Sequence, residues 1–206
     1  MRYTGPKVRL SRRAGTPLTR KAVGYFEKRP YPPGEHGRRV RRSNSDFGVR
    51  MLEKQKVRWY YDISHKQLSR AFDKASKRPG RAGEELLAEL ELRLATVVLR
   101  AGFASSIYAA RQYVNHGHIT VDGKKVDIPS YTVKPGQVVS VRERSKKMVP
   151  FIEAAEGVHA DDKTAGFLAV SHSDLRIALV DRPKREQIPV PFDEQLVVEY
   201  FKGSAR

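Results

Sequence analysis

The chain has 206 residues, of which 39% are hydrophobic and none is cysteine. A chain of this length can bury a substantial core, and the lack of cysteine excludes disulfides, thiolate nucleophiles and cysteine-bound zinc. With 40 Lys and Arg against 23 Asp and Glu the net charge is +17, which predicts a polyanionic partner.

The basic residues are concentrated in the first third of the chain. Residues 1–60 contain 17 basic and 4 acidic residues, whereas residues 61–206 contain 23 and 19. No apolar run approaches the roughly 20 residues of a membrane span, and no apolar segment follows the basic N-terminus as in a signal peptide. No basic amphipathic helix with an aromatic face is apparent either. We therefore expect a cytoplasmic protein that binds nucleic acid and no membrane.

Residues 1–45, called the arm, are rich in Arg, Gly and Pro and show no apolar periodicity. This composition predicts an extended basic segment made of loop, without a core of its own. Tyr25, Phe26 and Tyr31 are aromatic residues that would order the arm against RNA or protein. The stretch RPYPPGEHGRRVRRSNSD also holds a cluster of guanidinium groups. We expect RNA contacts from Arg38, Arg39, Arg41 and Arg42.

Three helices are predicted after the arm. Ser45 is a candidate N-cap for a helix over about 46–60, whose basic residues Arg50, Lys54 and Lys56 are further candidate RNA contacts. SHKQ, residues 64–67, has the pattern of a capping box and opens a second helix. A third begins near Gly83, runs to a cap at Gly102, and carries apolar residues at spacings of three and four: Leu86, Leu87, Leu90, Leu94, Val97, Val98 and Ala101.

A fourth helix starts at Ser105 or Ser106 and ends at Gly117. From His118 the apolar period changes to two, and ITV, a DG turn, KKV, YTV and QVVSV predict a small antiparallel sheet packed on this helix. A short helix at about 148–156 and two further strands, FLAVS and LRIALV, follow. The tail FDEQLVVEYF is compatible with a strand or with a helix capped by Asp193, and we predict a helix.

Two histidines, His116 and His118, flank the glycine at the end of the fourth helix. A metal site would need further ligands, but the chain lacks cysteine and its other histidines show no ligand spacing. No serine stands in a GxSxG setting and no phosphate-binding GxxxxGK[ST] loop is present. The sequence therefore does not predict an enzyme, a metal site or a cofactor.

An RNA-contact surface requires fewer specific groups than a metal site or an active site does. With Ile107, Ala110 and Val114 facing inward, the outer side of the helix and the following hairpin would present a guanidinium, amides, imidazoles and ammonium groups to phosphates and ribose hydroxyls. The alternative is an ordinary solvated helix end. We predict RNA contacts from Arg111, Gln112, Asn115, His116, His118, Lys124 and Lys125.

The stretch GFASSIYAARQYVNHGHITVDGKKVDIPSYTVKPGQVVSV resembles the small RNA-binding domain named after ribosomal protein four of the small subunit. That domain alone recurs in pseudouridine synthases, some tRNA synthetases and ribosome-rescue factors. The flanking stretches RPYPPGEHG, SDFGVRMLEKQKVRWYYDIS and DEQLVVEY are more specific, and they resemble the bacterial family of that ribosomal protein. The resemblance covers nearly the whole chain.

The resemblance implies an α+β fold with three parts. The basic arm is 1–45, a mainly helical domain is 46–90 completed by a C-terminal helix in 188–206, and a small RNA-binding module with an antiparallel sheet is inserted at 91–187. It also implies a cytoplasmic, ribosomal location and a structural role as a primary binder of 16S ribosomal RNA. The binding site would be a multi-helix junction of the 5′ domain, where the protein nucleates assembly.

The family resemblance further implies a position near the channel through which mRNA enters the ribosome. Small-subunit protein five is the expected neighbour, at an interface that influences decoding accuracy. Two other roles stay open: an RNA-modifying enzyme or a regulatory RNA binder that uses the same module. An enzyme is disfavoured because the residues that follow the module are too few for a large catalytic domain.

The sequence departs from the family pattern at two places. Many members carry four N-terminal cysteines that bind zinc, but here Val8 and Ser11 occupy the first of these positions, which implies a zinc-free variant whose arm is held by other contacts. In the module, Ala95 and Ile107 replace an acidic residue and an arginine that the family often has. The second change removes an expected phosphate contact.

Overall fold

The computed structural model of this chain describes residues 3–39, 45–160 and 165–203. Within them the fold is α+β, as the sequence predicts. The helices are α1 Lys7–Ala14, α2 Ala22–Lys28, α3 Asp46–Tyr60, α4 His65–Ser76, α5 Ala82–Glu91, α6 Leu94–Arg100, α7 Ile107–Asn115, α8 Val149–Ala155 and α9 Glu194–Gly203. The strands are β1 Ile119–Val121, β2 Lys124–Lys125, β3 Val138–Val141, β4 Leu168–Ser171 and β5 Arg176–Leu179.

The chain divides into two compact units. The first unit consists of Met1–Leu86 together with Val190–Arg206, and the second unit is Leu87–Pro189. None of the helices in the described ranges is long and apolar enough to cross a membrane.

In the first unit, helix α9 packs against α3 and α4. The rings of Phe72 and Phe201 stack with centroids 4.6 Å apart, and Val197 is fully buried. The carboxylate of Asp193 accepts a hydrogen bond of 2.7 Å from the backbone N–H of Gln195. The predicted C-terminal helix, with Asp193 at its start, is therefore confirmed.

The arm contains more structure than its composition indicates. It forms helices α1 and α2, and Leu10, Ala14 and Leu18 make a small buried cluster against Trp59 of α3. The prediction that the arm is loop without a core is therefore wrong. Only a few apolar residues contribute, too few to register as a period, and helices this short depend on tertiary packing for their stability.

The third predicted helix is in fact two helices, α5 and α6, so the prediction of one continuous helix is wrong. Between them the backbone of Leu92 and Leu94 bonds to another segment: Val133 N–H donates to Leu92 O, and Leu94 N–H donates to Tyr131 O, both at 2.8 Å. The apolar spacing continues through the break because Leu86, Leu87 and Leu90 of α5 and Leu94, Val97 and Val98 of α6 are all buried.

The second unit is built around a five-stranded antiparallel sheet in the order β2-β1-β3-β5-β4. Its inner face packs with α6 and α7 around one core to which every long strand contributes, through Ile119, Val121, Val139, Val141, Leu168, Ile177 and Leu179. The predicted strand YTV is absent from this sheet and forms only an isolated bridge between Thr132 and Arg93. The backbone of Tyr131 and Val133 instead forms hydrogen bonds with Leu94 and Leu92 at the break between α5 and α6.

Candidate nucleic-acid interface

Helix α7 buries the apolar face that the sequence predicts. The side chain of Ser106 caps the helix by accepting from the N–H of Ala109 at 3.3 Å. Ile107, Ala110 and Val114 are buried, as the sequence predicts. Gln112 and Asn115 are exposed, while Tyr108 and Arg111 are half-buried.

The chain turns sharply at Gly117, which follows α7 and has φ +73°. A Cβ atom at this position would lie 2.3 Å from Cε of Lys125. Strand β2 therefore lays the Lys125 stem over the glycine, and the Lys125 ammonium reaches Asp127 at 3.3 Å. This contact joins the hairpin to the end of the helix, where the sequence predicted that the two would meet.

The two histidines differ in their surroundings. His116 is exposed and His118 is half-buried, with their ring centroids 5.9 Å apart. The Nδ1 atom of His118 lies 2.9 Å from Oγ of Ser145, and its ring packs edge-on against Phe151 at 5.7 Å. Burial is the main cause that lowers the pKa of His118, and the charges of His116 and Arg144 act in the same direction. These surroundings therefore favour the uncharged form of the His118 ring.

A type I′ hairpin follows, because Asp122 and Gly123 have φ of +49° and +77°. The Asp122 carboxylate accepts hydrogen bonds from the N–H of Val138 at 2.9 Å and from Nε2 of Gln137 at 2.8 Å. These bonds fix the tip of the hairpin to β3. Lys124 stays exposed beside it.

Sequence reasoning missed Arg93, which lies between α5 and α6. Burial is the main cause that lowers its pKa to about 10, and the positive charge of Arg111 is the second cause. The positive charge of Arg111 therefore acts on Arg93, which is the N-cap residue of α6.

The four residues that depart from the family pattern can be located in the structure. Ala95 and Ile107 are both buried in the core, so neither position faces a ligand. In the arm, Ser11 is fully buried and its hydroxyl accepts from the N–H of Leu18 at 3.1 Å. Neither Val8 nor Ser11 offers the thiolate that a cysteine-bound zinc requires. Among the described residues, no group of three or more His, Asp or Glu could hold a metal ion.

The other predicted contacts that the structure describes lie in the first unit. Arg38 and Arg39 are exposed in the arm, and Arg41 and Arg42 lie outside the described residues. The candidates on α3 are engaged within the first unit. Arg50 pairs with Glu199 at 2.8 Å, the ammonium of Lys54 lies 3.9 Å from the ring centroid of Tyr200, and Lys56 pairs with Glu53.

Comparison with known families accounts for most of the chain. Residues 2–91 match the model described as ribosomal protein S4/S9 N-terminal domain. Residues 92–139, which contain α6, α7, the hairpin and most of the surface above, match the S4 domain.

Whole-chain relatives are also similar. The chain is 82% identical over 201 residues to the small ribosomal subunit protein uS4 of Thermobifida fusca, with 98% of this chain and 99% of that protein covered. It is 55% identical to the protein of the same name from Streptomyces griseus, over 95% of this chain and 96% of the relative. The relative from Beutenbergia cavernae is 54% identical, with 95% of both chains covered.

Proposed function

Because the chain belongs to the uS4 family of small ribosomal subunit proteins, we propose that it binds 16S ribosomal RNA directly. In this proposal it is a structural constituent of the small subunit and not an enzyme. Its contact is a multi-helix junction of the 5′ domain, and binding there nucleates assembly. Its further partners are small-subunit protein five and mRNA at the channel where mRNA enters, so that it contributes to decoding accuracy.

The observation that supports RNA binding best is the cationic and polar surface at the end of α7. The charge of Arg111 contributes to the lowered pKa of Arg93, and Gln112, Asn115, His116 and Lys124 are exposed. Like charges held close together are relieved by an anion, and a guanidinium offers a planar pair of donors to a phosphate. Amides and imidazoles supply hydrogen bonds to ribose and base edges.

The RNA contacts that we propose in the module are Arg111, Gln112, Asn115, His116, His118, Lys124 and Lys125, with Arg93 added. Arg38 and Arg39 are the proposed contacts of the arm. The predicted roles of Arg41, Arg42, Arg50, Lys54 and Lys56 stay predictions. So does the division into arm 1–45, helical domain 46–90 with 188–206, and module 91–187.

Filter binding with the 5′-domain fragment of 16S RNA tests this function. We expect wild-type protein to bind that RNA far more tightly than an unrelated RNA of equal length. Arg111→Glu should weaken binding more than His116→Ala, because it replaces an attraction for phosphate by a repulsion. An intact affinity for Arg111→Glu would contradict the proposed surface.

Sucrose-gradient fractionation of a cell lysate separates the alternatives. A structural constituent is present in small subunits at one copy per particle. A pool found only in the soluble fraction would favour the RNA-modifying enzyme or the regulatory RNA binder.

A further inference from the structure

Tyr31 in the arm lies beneath two guanidinium groups. The Cζ atom of Arg12 is 4.8 Å from its ring centroid, and that of Arg38 is 5.1 Å away. The Arg38 guanidinium beside the phenol is the main cause that lowers the pKa of Tyr31, and the charges of Arg29 and Arg12 act in the same direction. Arg12 from α1 and Arg38 from the segment after α2 therefore both lie over one aromatic ring.

Arg12 holds the ring in place from helix α1. Its Nε donates to the carbonyl oxygen of Tyr31 at 3.1 Å, and its Nη2 donates to that of Pro32 at 3.3 Å. With these donors occupied by backbone, Arg12 serves as a support for the segment. The guanidinium of Arg38 makes no such backbone bond among the described residues, and its side chain is exposed.

A tight turn brings Arg38 back to Tyr31. Pro32 and Pro33 restrict the backbone, and Gly34 follows with φ +111°. Gly37 is buried, and a Cβ atom there would lie 2.0 Å from the carbonyl oxygen of Pro32. The turn can therefore close only with glycine at this position, and Arg38 is the next residue.

The positive charge of this cluster is not compensated within the described part of the chain. None of Arg12, Arg29 and Arg38 forms an ion pair with a carboxylate there. Glu27 and Glu35 are the only acidic residues of the whole arm. An anion from outside would therefore find guanidinium groups that no carboxylate of the described residues already neutralises.

We propose that Tyr31 is a positioning residue that presents Arg38 to backbone phosphates of ribosomal RNA. A guanidinium with its face on an aromatic ring keeps its in-plane N–H groups free for the bidentate geometry that phosphate accepts. Several cations spread along one turn suit a chain of phosphates better than a single anion. This inference rests on the proposed function, because it names how the arm contacts the same RNA.

The test is a double-mutant cycle in full-length protein, measured by filter binding to the 5′-domain RNA. Arg38→Gln and Tyr31→Leu should each weaken binding by about tenfold, which is the loss of one charge-assisted contact. The double variant should bind no more weakly than the weaker single variant, since both changes remove one interaction. Tyr31→Leu changes no charge, so its effect cannot come from net charge.

Arg9→Gln is the matched control, because Arg9 is an exposed cation on α1 that does not contact Tyr31. It should weaken binding by no more than about threefold through loss of general attraction for RNA. Arg38→Lys keeps the charge but lacks the planar donors, and it should lose nearly as much as Arg38→Gln. If Trp59 fluorescence shows that Tyr31→Leu loosens the arm, Arg38→Lys still tests the inference without changing Tyr31.

Additive effects of Tyr31→Leu and Arg38→Gln, or equal losses for Arg9→Gln and Arg38→Gln, would overturn the inference and leave the proposed function intact. Failure of wild-type protein to bind the RNA would overturn the proposed function itself. If Arg38→Gln blocks incorporation into small subunits without weakening RNA binding, the cluster contacts an acidic protein segment and the inference is wrong.

Discussion

The fully buried carboxylate of Glu91 accepts two hydrogen bonds from the guanidinium of Arg100, at 2.7 and 2.8 Å. Glu91 ends α5 and Arg100 ends α6, so this pair ties together the two helices that the sequence had joined into one. Arg100→Gln would leave a buried carboxylate without its partner, and we predict a loss of about 3–5 kcal/mol in the free energy of unfolding. Urea denaturation measures it.

Arg81→Gln is the control for this prediction. The Arg81 side chain is 87% exposed and pairs with Glu84 at 3.4 Å, so the change should cost less than about 0.5 kcal/mol. Replacing both partners, Glu91→Leu with Arg100→Met, should recover much of the stability that Arg100→Gln loses. A cost for Arg100→Gln as small as that of Arg81→Gln would show that the pair contributes little.

Alanine substitutions at Gly117 and Gly123 separate the effect of backbone strain from the effect of displacing the Lys125 side chain. Both have positive φ, so alanine at either position should cost about 1–2 kcal/mol in unfolding free energy. At Gly117 the added Cβ must also displace the Lys125 side chain, whereas nothing lies within 4 Å at Gly123. We therefore predict similar thermal stability but weaker RNA binding for Gly117→Ala. Equal RNA affinities would indicate that the position of Lys125 does not matter for binding.

The imidazole of His118 makes stability depend on pH. Burial lowers its pKa in the folded protein, so below the unfolded value of about 6.5 the unfolded chain binds the proton more tightly. The unfolding free energy should therefore fall as the pH drops through the window between these two pKa values. His118→Gln should show a smaller fall between about pH 7.5 and 5.5, measured by urea melts, while exposed His36→Gln should follow wild type. Identical pH profiles for all three proteins would contradict this.

Lys54 is only 5% exposed and its ammonium faces the ring of Tyr200 on α9. Lys54→Met keeps the aliphatic stem and removes the charge, so we predict a loss of about 1–2 kcal/mol in unfolding free energy from the partly desolvated cation–π contact. Lys66→Met, at an exposed position on α4, should be near neutral. Lys54→Met that retains full stability but loses RNA affinity would support Lys54 as an RNA contact instead.

The small core of the arm has its own reporter, since Trp59 is the single tryptophan of the chain and packs on the cluster of Leu10, Ala14 and Leu18. Leu10→Ala should destabilise this region by about 2–3 kcal/mol and shift Trp59 emission to the red. Val23→Ala, at a position 43% exposed, is the control. Unchanged emission for Leu10→Ala would mean that the arm does not need this cluster.

Local signals in the sequence were sufficient for several elements. The capping box of Ser64 and Gln67 forms with both of its hydrogen bonds, Ser45 caps α3, and the Asp122–Gly123 pair makes the predicted turn. Each of these features depends on residues no more than three positions apart. Local sequence is therefore enough to predict their geometry, because it does not depend on contacts with distant parts of the chain.

What the sequence by itself determined is thus the class of protein and its local elements: the net positive charge, the change from helical to strand period at His118, and the family motifs. Only the tertiary structure decided which cations stay exposed, because Lys54 and Arg12 are committed by contacts with residues 146 and 19 positions away. The same holds for the break after Glu91, where hydrogen bonds from Leu94 N–H to Tyr131 O and from Val133 N–H to Leu92 O replace those of a continuing helix. Residues so far apart in the chain come into contact only in the folded protein, so no local sequence pattern predicts these contacts.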